Sequence, residues 1–215
     1  MPQTPPMAPL AAASAAADAA VTPLRIDAAS GLLVGAPQVL SPHCDARPAG
    51  VLPDLIVIHG ISVPAGQFGG PWIDRLFAGD LPVATHPQFA ALAALRVSAH
   101  VLIRRDGTAT QYVPFGSRAW HAGVSSYEGR QSCNDFSIGI ELEGTDALPY
   151  EEAQYHSLAA LVRALCCAYP DLSFQRITGH SDIAPGRKSD PGPAFDWPRL
   201  RRLLAQHATG DIGAP

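Results

Sequence analysis

The sequence has little positive charge to offer a polyanion. Its 15 Lys and Arg stand against 19 Asp and Glu, for a formal charge of −4. No basic stripe of the kind nucleic acid requires is present, and no Lys/Arg cluster suits an anionic membrane surface. Cysteine is scarce as well. Cys44, Cys133, Cys166 and Cys167 include no C-x-x-C pair, and the adjacent two face different ways on a predicted helix. A disulfide framework is therefore not expected, and reduced thiols in a cytosolic protein are the simplest account. No apolar stretch is long enough to span a bilayer. No Lys or Arg precedes Arg25, so the Ala-rich start, broken by Asp18, lacks the positive region of a secretory signal. Gly66-Gln67-Phe68-Gly69-Gly70 follows no strand in a G-x-G-x-x-G pattern, so no phosphate cradle is read there. The chain also has no internal repeat.

What is present is enough for one domain. Apolar residues make up 47% of 215, which suffices for a proper core. Residues 1–23 are nearly all Ala, Pro and small residues and are expected to be a disordered tail. The domain is expected over 24–208, with a loose end at 209–215. Leu55 to Ile58 is a short run apolar on both sides, the pattern of a buried strand, and it ends in His59. Pro87 to Ala94 reads as a short helix. Arg96 to Arg104 and Thr108 to Val113 read as strands joined by a turn at Asp106-Gly107. In Phe136 to Glu143, alternation puts Phe136, Ile138, Ile140 and Leu142 on one face and Ser137, Gly139, Glu141 and Glu143 on the other. The second face either meets water, the ordinary answer, or lines a site in which Gly139 makes room. Glu151 to Ala168 is the clearest helix, with Leu158, Leu161, Val162 and Leu165 as its apolar stripe. Ala194 to His207 reads as a second, with Trp197, Leu200, Leu203 and Leu204 inward.

The chemistry concentrates in Thr178 to Pro193, TGHSDIAPGRKSDPGP. Its density of Gly and Pro predicts a loop without helix or long central strand. Turns fixed in this way can aim His180, Asp182, Lys188 and Asp190 at one point. Imidazole and carboxylate both suit Zn²⁺, and a catalytic zinc site takes three protein ligands and leaves a fourth position open. The third ligand must come from elsewhere. His59, at the end of its buried strand, sits at the rim where open α/β sheets place their sites, although a histidine there also serves as a core residue bonded to a carbonyl.

Three pieces together are specific: His59 after its strand, FSIGIELEG, and TGHSDIAPGRKSDPGPAFDW. With GQFGGPWID, LRVSAHVLIRRDG, QYVPF, RAWHAGVSSYEGR and CNDFSIGIELEGTD, they give near-continuous similarity from about Ser41 to Leu204. The chain resembles the zinc-dependent N-acetylmuramoyl-L-alanine amidases, most closely their AmpD-type branch. The resemblance implies a single α/β domain with a mixed central β-sheet flanked by helices, as in peptidoglycan-recognition proteins. It implies one Zn²⁺ per chain held by His59, His180 and Asp190, and catalytic roles for Glu141 and Lys188. It implies a 1,6-anhydromuropeptide as substrate, cut between the lactyl group of muramic acid and L-alanine during peptidoglycan recycling in the cytoplasm. No nucleic acid, membrane or obligate protein partner is expected.

Two positions depart from the pattern. Gly60 stands where the family carries Asn, and Ser132 where an Arg often precedes Cys133-Asn134. Arg96 and Arg130 remain as candidate anchors for the stem peptide, and Trp120 as a wall for a sugar ring. Three other readings compete. The first is a non-cleaving muropeptide-binding module, whose mark would be a lost ligand or a lost Glu141. The second is a cysteine amidase using Cys133 with His100 or His121. The third is a periplasmic amidase of the same family, against which the missing signal segment argues.

Overall fold

The computed structural model describes residues 24–206. The expectations for tails at 1–23 and 209–215 lie outside those residues. In chain order, β1 (Ile26–Asp27) and β2 (Leu32–Leu33) pair with each other, and β3 (Cys44–Ala46) crosses to a later strand. Then come β4 (Leu55–Ile61), α1 (Trp72–Ala78), α2 (Phe89–Ala93), β5 (Val101–Ile103) and β6 (Ala109–Gln111). β7 (Ser117–Ala119) pairs with β3, and β8 (Ser126–Tyr127) with β9 (Arg130–Gln131). A 3₁₀ turn at Cys133–Asp135 leads into β10 (Ser137–Glu143), followed by α3 (Glu152–Ala168), β11 (Ile177–Gly179), α4 (His180–Ile183) and α5 (Trp197–Gln206).

Five strands form the central sheet in the order β11-β4-β10-β5-β6. β11, β4, β10 and β5 run parallel, and β6 turns back antiparallel at the edge. This is a mixed sheet with helices against it, as expected. Ile56 and Ile58 of β4 and Ile138, Ile140 and Leu142 of β10 pack under the apolar stripes of α3 and α5. The predicted stripe of α3, Leu158, Leu161, Val162 and Leu165, is wholly buried. Its start is fixed by a capping box, in which the Glu151 N–H donates to Gln154 Oε1 at 3.0 Å. The same Gln154 amide donates to the carbonyls of Ile103 and Glu143, which ties the helix to the ends of β5 and β10. No described helix is long and apolar enough to cross a membrane.

Four expectations are corrected. The face of β10 carrying Ser137, Gly139, Glu141 and Glu143 does not meet water; the whole strand is buried. It lies between two other strands; His121 and Cys133 close over Ser137 and Gly139, and the 66–70 loop and Arg104 over Glu143. The Thr178–Pro193 stretch is not all loop. β11 ends at Gly179 and one helical turn follows, because proline begins only at Pro185. Asp182 caps that turn, accepting from Thr178 Oγ1 and Gly179 N, both at 2.9 Å. The hairpin ladders are shorter than predicted, since ahead of Val101 the Ser98 and His100 groups bond to Trp120 and Gly139 across the sheet. The last helix starts at Trp197 rather than Ala194. Asp196 Oδ1 accepts the Arg199 N–H at 2.8 Å there, and Pro198 in the first turn has no N–H to satisfy.

Candidate metal centre and active site

Three neighbouring parallel strands deliver the site at their carboxyl ends, where open α/β sheets place ligands. β4 carries His59, β10 carries Glu141 in direct register with it, and β11 hands over to His180. The Gly/Pro loop then returns Asp190, whose carbonyl accepts the Ser181 N–H at 2.9 Å. His59 Nδ1 lies 3.0 Å from His180 Nδ1, and Asp190 Oδ2 lies 3.1 Å from each. Those separations approach the edge of a zinc tetrahedron, about 3.3 Å for Zn–N bonds near 2.05 Å. The other ring nitrogens are occupied: His180 Nε2 donates to the Ala122 carbonyl at 3.2 Å, and His59 Nε2 is 2.9 Å from His121 Nδ1. The donor set is two imidazoles and one carboxylate, converging through the atoms left free. It fits a zinc ion.

Electrostatics agree with that fit. Burial pushes His59 down to about 4, so it is neutral and available as a ligand at ordinary pH. Burial would raise the Asp190 carboxyl, but the two imidazoles facing its Oδ2 outweigh that and hold it well below the usual carboxylate range. Glu141 moves the other way. Burial, then the charge of Asp190, pushes its carboxyl well above its ordinary value. Its Oε2 is buried and has no hydrogen-bond partner. The residue lines a cavity of about 200 Å³ with His59, His180, Asp190, Lys188 and His121, walled by Leu92, Leu95 and Val97. Lys188, the only lysine of the chain, is exposed at that cavity. A larger groove of about 420 Å³ between Ile177 and α5 carries no metal-ligating side chain.

The structure separates the pairs that spacing left open. Asp182 caps α4, while Asp190 joins the histidines. Glu143 is tied to the 66–70 loop, accepting from Gly69 N at 2.7 Å and from Arg104 at 3.4 Å, while Glu141 is free. Arg96 and Trp120 flank the cavity in sequence but do not line it. Trp120 stacks on His43 and donates to Asp45. Arg130 is paired with Asp54 and lies over the Phe136 ring. The space a side chain at Gly60 would need is filled by the Tyr150 hydroxyl, which donates to the Pro191 carbonyl at 2.9 Å. Ser132 is exposed in the left-handed region at φ 62°. Cys133 opens a 3₁₀ turn; it is buried, and burial pushes its thiol up rather than activating it.

The profile of the N-acetylmuramoyl-L-alanine amidases matches residues 49–193, from the turn after β3 to the end of the Gly/Pro loop. The chain belongs to the N-acetylmuramoyl-L-alanine amidase family. Among curated members of that family it is similar to the 1,6-anhydro-N-acetylmuramyl-L-alanine amidase AmpD of Escherichia coli (strain K12). The two are 63% identical over 179 residues, which is 83% of this chain and 97% of the relative. A crystal structure of a selenomethionine AmpD derivative superposes with a TM-score of 0.80 at 60% identity, covering 83% of this chain and 98% of that one. A more distant amidase, AmiD of E. coli, was solved with anhydro-N-acetylmuramic acid-L-Ala-D-γ-Glu-L-Lys. It gives a TM-score of 0.53 at 28% identity over 73% of this chain and 60% of that one.

Sequence reasoning on this amidase missed three supports. His121 was considered only as a partner for Cys133, yet it contacts His59. Asn134 Oδ1 accepts the N–H groups of His121 and Ala122, at 3.1 and 2.8 Å, and so fixes that segment under the site. Tyr150 props the loop beyond Asp190. The available signal was Gly139, a glycine on a polar strand face. A Cβ there would fall within the His121 ring, 2.6 Å from Nδ1 and 2.7 Å from Cδ2.

Proposed function

We propose that this chain is a zinc-dependent amidase of muropeptides. It hydrolyses the bond between the lactyl group of 1,6-anhydro-N-acetylmuramic acid and L-alanine, in the cytoplasm, during peptidoglycan recycling. The amidase unit is proposed to run from residue 24 to 208. The observation that carries the reading is the convergence of His59, His180 and Asp190 beside an unpartnered, buried Glu141 Oε2 in one cavity. Family membership and the naming of the AmpD relatives support the substrate class.

His59, His180 and Asp190 would hold the ion. A zinc so held supplies Lewis acidity, bringing water to a pKa of about 7 and polarising an amide carbonyl. Glu141 Oε2 takes a proton from the attacking water and holds it against ready loss, since burial favours the protonated carboxyl. It then delivers that proton to the nitrogen of L-alanine as the C–N bond breaks. General base and acid work of this kind contributes roughly 10²–10⁴ in rate. The Lys188 ammonium stabilises the negative oxygen of the tetrahedral intermediate, a role worth about 10²–10³ where a single donor has been removed. The products are a lactyl carboxylate and a peptide with a free amino terminus.

Mass spectrometry of digests tests this reading. Anhydro-N-acetylmuramoyl tripeptide should yield the sugar acid and a tripeptide beginning with L-alanine. An ordinary muramoyl peptide, compared in the same assay, defines the dependence on the anhydro ring. Release of free amino acids instead of the sugar acid would place the cut elsewhere.

A further inference from the structure

We infer that His121 is a positioning residue. It holds His59 as the Nε2–H tautomer, and so leaves the His59 Nδ1 lone pair facing His180 and Asp190. The inference rests on the reading of His59 as a zinc ligand.

The direction of each hydrogen bond follows from one end of a chain. The Cys133 carbonyl oxygen can only accept, so the Ser137 hydroxyl at 2.5 Å donates its single hydrogen to it. Ser137 Oγ is then an acceptor toward His121 Nε2, 3.2 Å away, and that nitrogen carries the His121 proton. A neutral imidazole has one N–H, so His121 Nδ1 is bare. It accepts from His59 Nε2 at 2.9 Å. His59 Nδ1 is left without a proton. His180 reaches the same tautomer more directly, because its Nε2 faces the Ala122 carbonyl.

The arrangement has a rival to exclude. A proton on His59 Nδ1 would find an acceptor in Asp190 Oδ2 at 3.1 Å, and it would sit where the metal binds. Making His59 Nε2 a donor removes that tautomer. Three residues of one strand face then serve one site. Ser137 anchors the chain, Gly139 gives the His121 ring its space, and Glu141 faces the cavity. Outer partners of metal-bound histidines work in this way, and losing one typically costs 10–100-fold in metal affinity.

The test uses the full-length, zinc-loaded chain. Long-range ¹H–¹⁵N NMR of the imidazoles should show the proton on Nε2 in both His59 and His121. A proton on His121 Nδ1 would overturn the inference, and this measurement needs no variant. Competition with a chromogenic chelator then reads Zn²⁺ affinity. His121→Phe should bind about 10–100-fold more weakly. His121→Asn, whose Oδ1 can stand at the Nδ1 position, should recover most of that loss. Equal affinity in the unmodified chain and His121→Phe overturns the inference while leaving the metal reading intact. Failure of the unmodified chain to bind Zn²⁺ overturns the metal reading itself, and this inference with it.

Discussion

Adding one methyl group on the site face of β10 is the sharpest test of how the centre is packed. In Gly139→Ala the new Cβ meets the ring of His121 at 2.6–2.7 Å, where carbon contacts settle at about 3.5–4.0 Å. The ring would have to retreat by roughly 1 Å. It is buried and hydrogen-bonded at both nitrogens, at 2.9 and 3.2 Å, so that retreat breaks both bonds. Overpacking costs about 1–3 kcal/mol, and each lost bond about 0.5–1.5 kcal/mol. The sum is about 2–6 kcal/mol, or a fall in Tm of roughly 4–24 °C for a chain of this size. The lowered entropy of the unfolded chain offsets no more than about 1 kcal/mol of it. Zn²⁺ affinity should fall as well, because His59 loses its partner. Gly116→Ala is the control. Its Cβ would meet nothing within 4 Å, so Tm should hold or rise slightly. Thermal unfolding and chelator competition on both variants decide the matter. A Gly139→Ala protein that melts with the parent and binds Zn²⁺ equally well would refute the reasoning.

Glu141→Gln should lower kcat by at least ~10² while zinc stays bound. In the parent enzyme, activity should fall as pH drops through the raised Glu141 value, placing the acid limb above the ordinary carboxylate range near 4.3. The same shift acts on stability. The folded metal-stripped chain binds this proton more tightly than the unfolded one, so stability is fullest below the unfolded value and declines as pH rises through the folded one. Glu141→Gln should therefore be more stable than the metal-stripped parent at neutral pH and lose that advantage in acid. Unfolding in denaturant at several pH values checks it. Lys188→Ala should cost about 10²–10³ in kcat with zinc content unchanged; a change confined to KM would assign the lysine to substrate binding alone. Removing residues 1–22 should leave zinc binding and kcat/KM unchanged, since the described ladders begin at Ile26. A truncated protein that aggregates or loses most activity would place that segment within the working unit.

Sequence patterns carried the strand at Leu55 and the long helix, because each rests on local chemistry: a two-sided apolar run and an apolar stripe at helical spacing. They stopped where tertiary contact decides. Alternation in FSIGIELE says which residues share a face, not what covers it, and the His121 ring that closes over that face lies 16 residues before Ser137. Spacing could not choose between Asp182 and Asp190, since the choice turns on Asp182 bonding back to Thr178 and Gly179. Nor could it pair His59 with His121, 62 positions away, because that contact is made by a loop that Asn134 holds over the sheet. The family resemblance supplied the choice of Glu141 over Glu143. The structure gives it a physical basis in the bonds that occupy Glu143.

The central claim is that three side chains of this chain hold the ion on which amide hydrolysis depends. Titration of the metal-stripped protein with Zn²⁺, following bound metal and hydrolysis of anhydro-N-acetylmuramoyl tripeptide together, tests it most directly. Activity should be absent at the start, rise in step with bound zinc and level off at one equivalent, and His180→Ala should show neither binding nor activity over the same range. Full activity in the metal-stripped protein, or zinc bound at one equivalent with no hydrolysis, would contradict it.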